Sequence, residues 1–273
     1  MRQITIKWRL SEHMTAGDFR KRLRSVNGVE LPKLLFWHDE SGQTVRCGHT
    51  RAPSGDASTV EKKRDRIDNS ARKRGPRTEA ALLDDSRASD DAMPTIRFFH
   101  SKSFVGIHFL GSEMIEFASK NIALLIDSAR QALGPVEFEV QEPDLDMKSR
   151  LTPRTYFIPS LALRNPSFEF ISVEQYCERI IQQDLRRQAA ILGIDAPDNL
   201  YVRITSIGDP GTHWVRTNSG QKTGGALRLK DVKFITNADL KGSWSAGSLI
   251  SKGFGSILNP AAASAMSLRG SNE

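Results

Sequence analysis

The sequence predicts an α+β fold of two units of similar size, and two observations support this prediction. Segments in which apolar and polar residues alternate, as in a half-buried strand, recur along the 273 residues. Two long segments instead repeat their apolar residues every three or four positions, as amphipathic helices do. The order of these segments in the first half is that of a split βαβ pattern, and the second half, with the order strand, helix, strand, strand, is a degenerate version of it. We therefore expect two ferredoxin-like units in tandem, the first with a basic helical insertion.

The first unit is predicted to cover residues 1–142 and to begin with a strand and a short helix. Residues 4–10 alternate so that Lys7 and Arg9 point away from the core. Thr15 is placed to cap the helix, and Asn27 with Gly28 is a typical helix stop. Residues 31–39 then favour a second strand.

The rest of the first unit is predicted to be a strand pair, a long helix and a final strand. Two apolar runs within residues 95–111 flank three polar residues, which indicates a strand pair. Ser112 is predicted to cap the helix, and Gly134 to end it. In the final strand, alternation predicts that Val136, Phe138 and Val140 are buried.

The second unit is predicted over residues 154–258, after a linker. Residues 155–163 favour a strand, and Ser172 with Gln175 forms the capping box of a long helix that Gly193 ends. Three further strands are expected within residues 200–236. The last of them directs Arg228 away from its apolar face. Residues 259–273 are expected to be a flexible tail.

The charge balance favours a polyanionic partner. Lys and Arg total 39 against 32 Asp and Glu, a formal net charge of +7. Binding a polyanion releases its condensed counterions, so a basic excess favours nucleic acid. No apolar run approaches the roughly 20 residues that cross a bilayer. We expect a cytoplasmic protein without a membrane partner. The spacing of Cys47 and Cys177 indicates neither a disulfide nor a zinc site, so we expect no metal or cofactor.

Residues 50–93 differ in composition from the rest of the chain. They have almost no aromatic or β-branched content and are crowded with charge, so they bury little. Ser58 and Glu61 have capping-box spacing, and Gly75 with Pro76 would end the helix. We expect a basic helical finger at about 50–93 that grips RNA, with an inert charged insertion as the alternative. The RNA-binding residues expected here are Lys62, Lys63, Arg64, Arg66, Arg72, Lys73 and Arg74.

A glycine-rich stretch, AGSLISKGFGS over residues 246–256, follows the last predicted strand. It contains Gly247, Lys252, Gly253, Phe254 and Gly255, all expected to bind RNA. Glycines let the backbone approach a phosphate closely and turn N–H groups towards it. The rings of Phe254 and Trp244 could stack on bases. The alternative is that the glycines only allow a tight turn.

With this stretch, its charge and its two predicted units, the chain resembles the CRISPR-associated repeat endoribonucleases of the RAMP superfamily. Their glycine-rich loop near the C-terminus has this outline, and the insertion is most similar to the helical finger of the type IV enzymes. The resemblance implies two RAMP/RRM-like units and a CRISPR repeat RNA stem-loop as substrate. It also implies metal-independent cleavage, in which the ribose 2′-OH attacks the adjacent phosphate and leaves a 2′,3′-cyclic phosphate. Other subunits of a CRISPR ribonucleoprotein effector are the implied partners.

The resemblance also directs the search for catalytic residues. In many family members a histidine near the first helix is the acid or base, and His38 and His49 are the nearest matches by position. Both also fit ordinary structural positions, and so do His100, His108 and His213, which lie in or at the start of predicted strands. Arginines can instead stabilise the charge that develops on the phosphoryl group. Arg9, Arg24 and Arg228 are the catalytic arginines that two units could bring to one cleft, although each also fits a solvated surface charge.

Further arginines are expected to bind the stem-loop, because A-form RNA is read mainly through its shape and backbone. They are Arg20 and Arg22 on the first helix, and Arg179, Arg186 and Arg187 on the long helix of the second unit. Two alternatives stay open. One is a catalytically inactive RNA-binding subunit of a CRISPR effector complex. The other is a metal-dependent nuclease that uses paired acids, of which the candidates are Asp84–Asp85, Asp90–Asp91 and Asp144 with Asp146.

Overall fold

A computed structural model of the chain describes residues 2–26, 28, 31–36, 95–164, 166, 171–216 and 222–259. Its N-terminal half is one antiparallel sheet with two helices. The elements are β1 (Gln3–Arg9), α1 (Ala16–Arg24), a 3-10 helix (Lys33–Phe36), β2 (Ile96–His100), β3 (Phe104–Leu110), α2 (Ser112–Leu133) and β4 (Phe138–Gln141). The sheet order is β2-β3-β1-β4, and every neighbouring pair is antiparallel.

Strand β1 and helix α1 follow the sequence prediction. Ile4, Ile6 and Trp8 are buried, whereas Arg9 is exposed at the end of the strand. Thr15 caps α1 by accepting a hydrogen bond from the backbone N–H of Asp18 at 3.1 Å. This cap satisfies one of the N–H groups that the first turn of a helix leaves free. The hydrogen bond between Thr15 and Asp18 therefore fixes the residue at which α1 begins.

The prediction of a strand over residues 31–39 was wrong in the part of this segment that the structure describes. Residues 33–36 form a 3-10 helix, and Leu35 and Phe36 are both buried. A strand sends successive side chains to opposite faces, whereas a helical turn can bury both of these neighbours. Strand β2, after the insertion, is consequently the second strand of the sheet.

Strand β4 forms as predicted, but its side chains are not buried. Phe138 and Val140 are 39% and 38% exposed. β4 lies at the edge of the sheet, beyond β1, so only one neighbouring strand packs beside it in the described sheet. The long helix α2 also starts differently, because Gly111 occupies the N-cap position and Ser112 is the first helical residue.

The C-terminal half is a second antiparallel sheet covered by one long helix. Its elements are β5 (Asp146–Arg164), α3 (Val173–Leu192), β6 (Val202–Ser206), β7 (Pro210–Arg216), β8 (Lys222–Lys241), β9 (Trp244–Ser245), a second 3-10 helix (Ile250–Lys252) and β10 (Ser256–Ile257). β8 pairs with β5 on one side and with β6 and β7 on the other. The predicted capping box at Ser172 and the stop at Gly193 are confirmed.

The α+β class is confirmed by these antiparallel sheets and helices. The description of the two halves as tandem ferredoxin-like units, and the predicted domain boundaries, stay predictions. Within the described part of the chain, no helix is long and apolar enough to cross a membrane. The second 3-10 helix packs against α1 and β2, and it therefore connects the two halves of the chain.

Candidate active site

Basic side chains from both halves of the chain meet around the second 3-10 helix, and we call this group the basic cluster. Its members are His13, Arg20, His100, His213, Arg228 and Lys252. His13 precedes α1, Arg20 lies on α1, and His100 ends β2. His213 lies on β7, Arg228 on β8, and Lys252 ends the second 3-10 helix. Gly253 shows how closely these elements approach. A Cβ added there would lie 2.7 Å from Cβ of Ala16 and 3.4 Å from Nδ1 of His100.

Two histidines form the N-terminal side of the cluster. His13 precedes α1 and His100 ends β2, and their ring centroids are 5.8 Å apart in an edge-to-face arrangement. Burial lowers the pKa of His100, the positive neighbours His13 and Arg228 lower it further, and Asp18 acts in the opposite direction. Burial and these positive neighbours therefore favour the neutral imidazole of His100. A neutral imidazole can take a proton from a hydroxyl group.

Arg228 is held at the cluster by the neighbouring strand. Its Nε donates to Oγ of Ser160 on β5 at 2.8 Å. This bond uses one of the five N–H donors of a guanidinium. The guanidinium carbon also lies 6.0 Å from the ring centroid of Phe254, within the range of a cation–π contact. His213 packs on the same ring, with a centroid distance of 4.8 Å. Phe254 thus contacts one guanidinium and one imidazole of the cluster.

Lys252 adds positive charge at a half-buried position. Burial lowers the pKa of its ammonium group, and the charges of Arg20 and Arg164 lower it further. Burial in the same way lowers the pKa of His213, followed by the effects of Lys252 and Arg228. The smaller, charge-dependent part of each pKa shift reflects like charges that lie close together. An anion bound among these groups would relieve the repulsion, and a phosphate is the anion that nucleic acids present.

The amide groups of the glycine-rich stretch donate within the protein. The N–H of Gly247 donates to Oδ2 of Asp184 at 2.7 Å, and that of Gly255 to the carbonyl of Ser160 at 2.8 Å. The N–H of Gly253 donates to the carbonyl of Ile250 at 3.0 Å. These three amides therefore do not form the free anion nest that the sequence suggested. The loop offers its side chains, Lys252 and Phe254, to the cluster instead.

Trp244 does not take part in stacking. It is 1% exposed, and its Nε1 donates to the carbonyl of Lys241 at 2.8 Å. The expectation that its ring stacks on a base was therefore wrong, because a buried ring has no free face. Phe254 is half-buried and keeps this possibility.

The arginines predicted to be catalytic lie in different places. Arg228 belongs to the cluster. Burial lowers the pKa of Arg20, and Arg24, the last residue of α1, lies close enough to lower it further. Arg9 is exposed and lies 3.5 Å from Oε2 of Glu137, with which it forms an ion pair. Arg22 is exposed on α1. The structure thus brings one of the three to the centre of the cluster and a second to its margin.

Arg20 is fixed more firmly than a surface arginine. One terminal nitrogen donates to the carbonyl of Phe36 at 2.8 Å. Its guanidinium lies 5.9 Å from the rings of both Phe36 and Phe98. The position next to these rings keeps the positive charge of α1 directed at the cluster.

The arginines of α3 all contact neighbouring residues of their own half. Arg179 lies over the ring of Tyr176 at 5.5 Å. Arg186 donates to the carbonyl of Asp198 at 2.7 Å, and Arg187 lies 3.8 Å from Asp184. Their expected role as phosphate clamps stays a prediction. Outside the described residues lie His38 and His49, together with Lys62, Lys63, Arg64, Arg66, Arg72, Lys73 and Arg74.

Sequence reasoning missed the histidines of the cluster. No motif in the sequence marks His13, and the positions of His100 and His213 in predicted strands favoured a structural role. No local signal distinguishes them, because they approach one another only when distant segments fold together. His108, in contrast, has the structural role that the sequence suggested. It is half-buried, and its Nδ1 lies 2.9 Å from Oγ1 of Thr5 and 3.1 Å from Oγ of Ser243.

In the described ranges, no group of three or more His, Cys, Asp or Glu residues is arranged to hold a metal ion. Of the acid pairs considered, Asp146 forms an ion pair with Lys148 at 3.3 Å. Asp84–Asp85 and Asp90–Asp91 lie outside the described residues. Cys177 is buried, and burial raises its pKa to about 12, so this thiol stays protonated at neutral pH.

The fold is that of solved CRISPR RNA endonuclease structures. The chain aligns with "Csf5, CRISPR-Cas type IV Cas6 crRNA endonuclease" over 95% of this chain and 99% of that chain, with a TM-score of 0.69 and 22% identity. It aligns with "Crystal structure of Cas6b" over 95% and 100% of the two chains, with a TM-score of 0.50 and 14% identity. At such identities the likeness shows the fold alone.

A family model provides the more specific assignment. The model of the type IV CRISPR-associated endonuclease Csf5 matches residues 1–262. The chain therefore belongs to this family, which confirms the resemblance drawn from the sequence. Membership in an endonuclease family of this kind supports a role in CRISPR RNA processing. A search of curated proteins gave no match.

Proposed function

We propose that the protein is an endoribonuclease that cleaves CRISPR repeat stem-loops in precursor RNA without a metal ion. The ribose 2′-OH attacks the adjacent phosphate and displaces the 5′ oxygen of the next nucleotide. The products are a 2′,3′-cyclic phosphate and a 5′-OH. The basic cluster supports this proposal, because it combines two imidazoles with fixed positive charge between the two halves of the chain.

The histidines have complementary roles in this proposal. The neutral ring of His100 takes the proton of the 2′-OH while the bond from O2′ to phosphorus forms. The bond from phosphorus to O5′ breaks, and His13 in its protonated form gives a proton to that oxygen. The distance of 5.8 Å between the two ring centroids brings both imidazoles within reach of one phosphate. General acid–base catalysis by positioned groups typically contributes about 10²–10⁴-fold.

The cations stabilise the charge that the phosphoryl oxygens gain. Arg228 is fixed by its bond to Ser160, so little reorganisation is needed when the charge develops. Lys252 supplies a second charge from the second 3-10 helix, and Phe254 stacks on a base next to the cut. Arg9 and Arg24 are proposed to contact the flanking RNA backbone. His38 stays a candidate catalytic residue, to be tested in the same assay by His38→Ala.

The remaining basic residues hold the stem-loop. Arg20, Arg22 and the arginines of α3 are proposed to bind its backbone, together with the basic residues of 50–93. Such contacts persist after cleavage, because the product keeps the phosphates of the stem. We therefore infer that the enzyme stays on the mature guide RNA in the cytoplasm and enters an effector complex with other subunits.

The proposal is tested by incubating purified protein in excess EDTA with labelled repeat RNAs and analysing the product ends. A single cut that leaves a 2′,3′-cyclic phosphate and a 5′-OH is expected. A matched RNA with a single 2′-deoxy nucleotide at the cleavage position should bind but stay intact, because it lacks the nucleophile.

Two other outcomes have clear meanings. Tight binding with intact RNA after prolonged incubation would establish the alternative, an RNA-binding subunit without catalysis. Cleavage that stops in EDTA and returns with Mg²⁺ would show a metal-dependent nuclease, and would overturn the proposed chemistry.

A further inference from the structure

Helix α3 places a buried carboxylate against the start of the glycine loop, by which we mean residues 247–255. Asp184 is 8% exposed, and its Oδ2 accepts the N–H of Gly247 at 2.7 Å. The residue lies on the face of α3 that packs into the core, between the buried Ile181 and Leu185 positions and Gln188. Burying a carboxylate costs free energy unless it has partners. We therefore ask which groups stabilise Asp184 and what its bond to the loop does.

The positive charges around Asp184 come from both halves of the chain. Nη1 of Arg187, one turn further along α3, lies 3.8 Å from Oδ1. Arg97, a buried residue of β2, also acts on this carboxylate through its charge. Burial nevertheless raises the pKa of Asp184 to about 6. The bond to Gly247 and the two arginines therefore offset only part of the cost of burial, and the bond to Gly247 is the largest of these favourable contributions.

The chain that leads into the glycine loop is held on both sides. From the first half, Arg97 donates to the carbonyl oxygen of Ser243 and to the hydroxyl oxygen of Ser245, at 3.0 Å in each case. From α3, Gln188 donates to the carbonyl of Ser243 at 3.1 Å and accepts from the N–H of Ser245 at 3.2 Å. Asp184 makes the last α3 contact before the loop turns towards the cluster.

The loop that follows this contact carries Lys252 and Phe254 to the cluster. Ser248 donates its N–H to the carbonyl of Ala162 at 2.7 Å, and Gly255 donates to Ser160 at 2.8 Å. Both of those acceptors lie on β5. The start of the loop, at Gly247, is instead held by helix α3 through Asp184.

We propose that Asp184 is a positioning residue that fixes the glycine loop so that Lys252 and Phe254 are held at the basic cluster. The expected effect on cleavage rests on the proposed function. The effect on the loop itself does not, and hydrogen exchange can measure it without RNA. Asp184→Ala removes the acceptor of Gly247, whereas Asp184→Asn keeps the shape and a carbonyl oxygen that can accept the same bond.

The first test is hydrogen exchange of the full-length protein followed by mass spectrometry. In Asp184→Ala we expect exchange in residues 246–256 to rise about tenfold while residues 173–183 of α3 keep wild-type protection. Asp184→Asn should restore most of the loop protection. The proposal is wrong if loop protection is unchanged in Asp184→Ala. It is also wrong if α3 and the loop lose protection together, which would indicate a purely structural role.

The second test is a double-mutant cycle on single-turnover cleavage. If Asp184 acts through the loop that carries Lys252, Asp184→Ala should slow cleavage about tenfold in the wild type but about twofold or less in a Lys252→Ala background. The exposed Asp127→Ala on α2 is the matched control and should leave the rate unchanged. A full effect of Asp184→Ala in both backgrounds would refute the coupling. If the wild type does not cleave, the proposed function fails and the exchange experiment alone decides this inference.

Discussion

Arg228 is the residue on which the sequence and the structure agree most closely. The alternation of β8 turned it away from the core, and the structure places it in the cluster with its Nε bonded to Ser160. If its guanidinium stabilises the phosphoryl oxygens, Arg228→Ala should lower the single-turnover rate about 10²–10³-fold, the usual cost of removing one such donor. Arg203→Ala, at an exposed position of β6, is the control and should stay within about threefold. Equal effects of the two substitutions would contradict the assignment.

His108 makes a second residue-level prediction, about acid stability. Burial lowers its pKa to about 3, and the charge of Arg97 adds to this effect. An unfolded histidine has a pKa of about 6.5, so below that pH the unfolded chain binds more protons than the folded one. The contribution of neutral His108 to the free energy of unfolding is therefore complete above about pH 6.5. It falls by up to about 1.4 kcal/mol per pH unit as the pH drops towards 3.

The comparison of wild type with His108→Asn isolates this effect. Asp184 has the opposite sign, because its raised pKa makes the folded state bind more protons and gain stability as the pH falls below about 6. The wild-type curve alone would mix the two contributions. Urea unfolding between pH 7.5 and 4 should show that the variant loses less stability than the wild type. Parallel curves would mean that His108 is not held neutral.

At the level of elements, prediction succeeded where local signals decide the structure. The capping box of α3 is an example, since Oγ of Ser172 accepts the N–H of Gln175 and the Gln175 side chain accepts the N–H of Ser172. It failed where neighbours decide. Phe138 alternates like a buried residue but lies on an edge strand, and Leu35 belongs to a 3-10 helix because both it and Phe36 reach the core.

The turn that closes the glycine loop gives an element-level prediction. Gly255 has a φ of +73°, and an added Cβ would lie 1.8 Å from the carbonyl oxygen of Ala246. Gly193, the left-handed residue that ends α3, also has a positive φ, +64°, but an added Cβ would meet nothing within 4 Å. Gly193→Ala should therefore cost only the left-handed conformation, about 1–2 kcal/mol. Gly255→Ala should cost at least about 2 kcal/mol more, since backbone must shift. Urea unfolding measures both, and equal losses would refute the close contact.

For the whole molecule, the sequence predicted a basic cleft shared by two halves, and it named Arg20, Arg228 and Lys252 but not the histidines of the cluster. The net charge of +7 and the glycine-rich stretch indicated the partner and the region. His13 and His100 belong to no recognisable motif, because their association with the rest of the cluster depends on how the second 3-10 helix packs against α1 and β2. Long-range packing of this kind leaves no period in the sequence.

Deleting residues 56–92 can distinguish attraction of RNA by the net charge of the chain from specific phosphate contacts. This segment has nine Lys or Arg and nine Asp or Glu residues, so its deletion leaves the net charge of the chain at +7. Eight of the nine basic residues lie within 62–77, where only two acids accompany them. A general attraction of RNA by net charge would therefore survive the deletion. Phosphate contacts made by residues 62–77 would not.

We expect deletion of residues 56–92 to weaken repeat RNA binding about tenfold at physiological salt and to reduce the salt dependence of the affinity, because each lost phosphate contact lowers the slope by about 0.7–0.9. Replacing Asp84, Asp85, Asp90 and Asp91 by asparagine is the control. It adds positive charge overall but removes no phosphate contact, so the affinity should not fall. Filter binding at several salt concentrations measures both. An unchanged affinity after the deletion would show that residues 56–92 do not grip the RNA, and that the basic cluster and the helix arginines bind it without them.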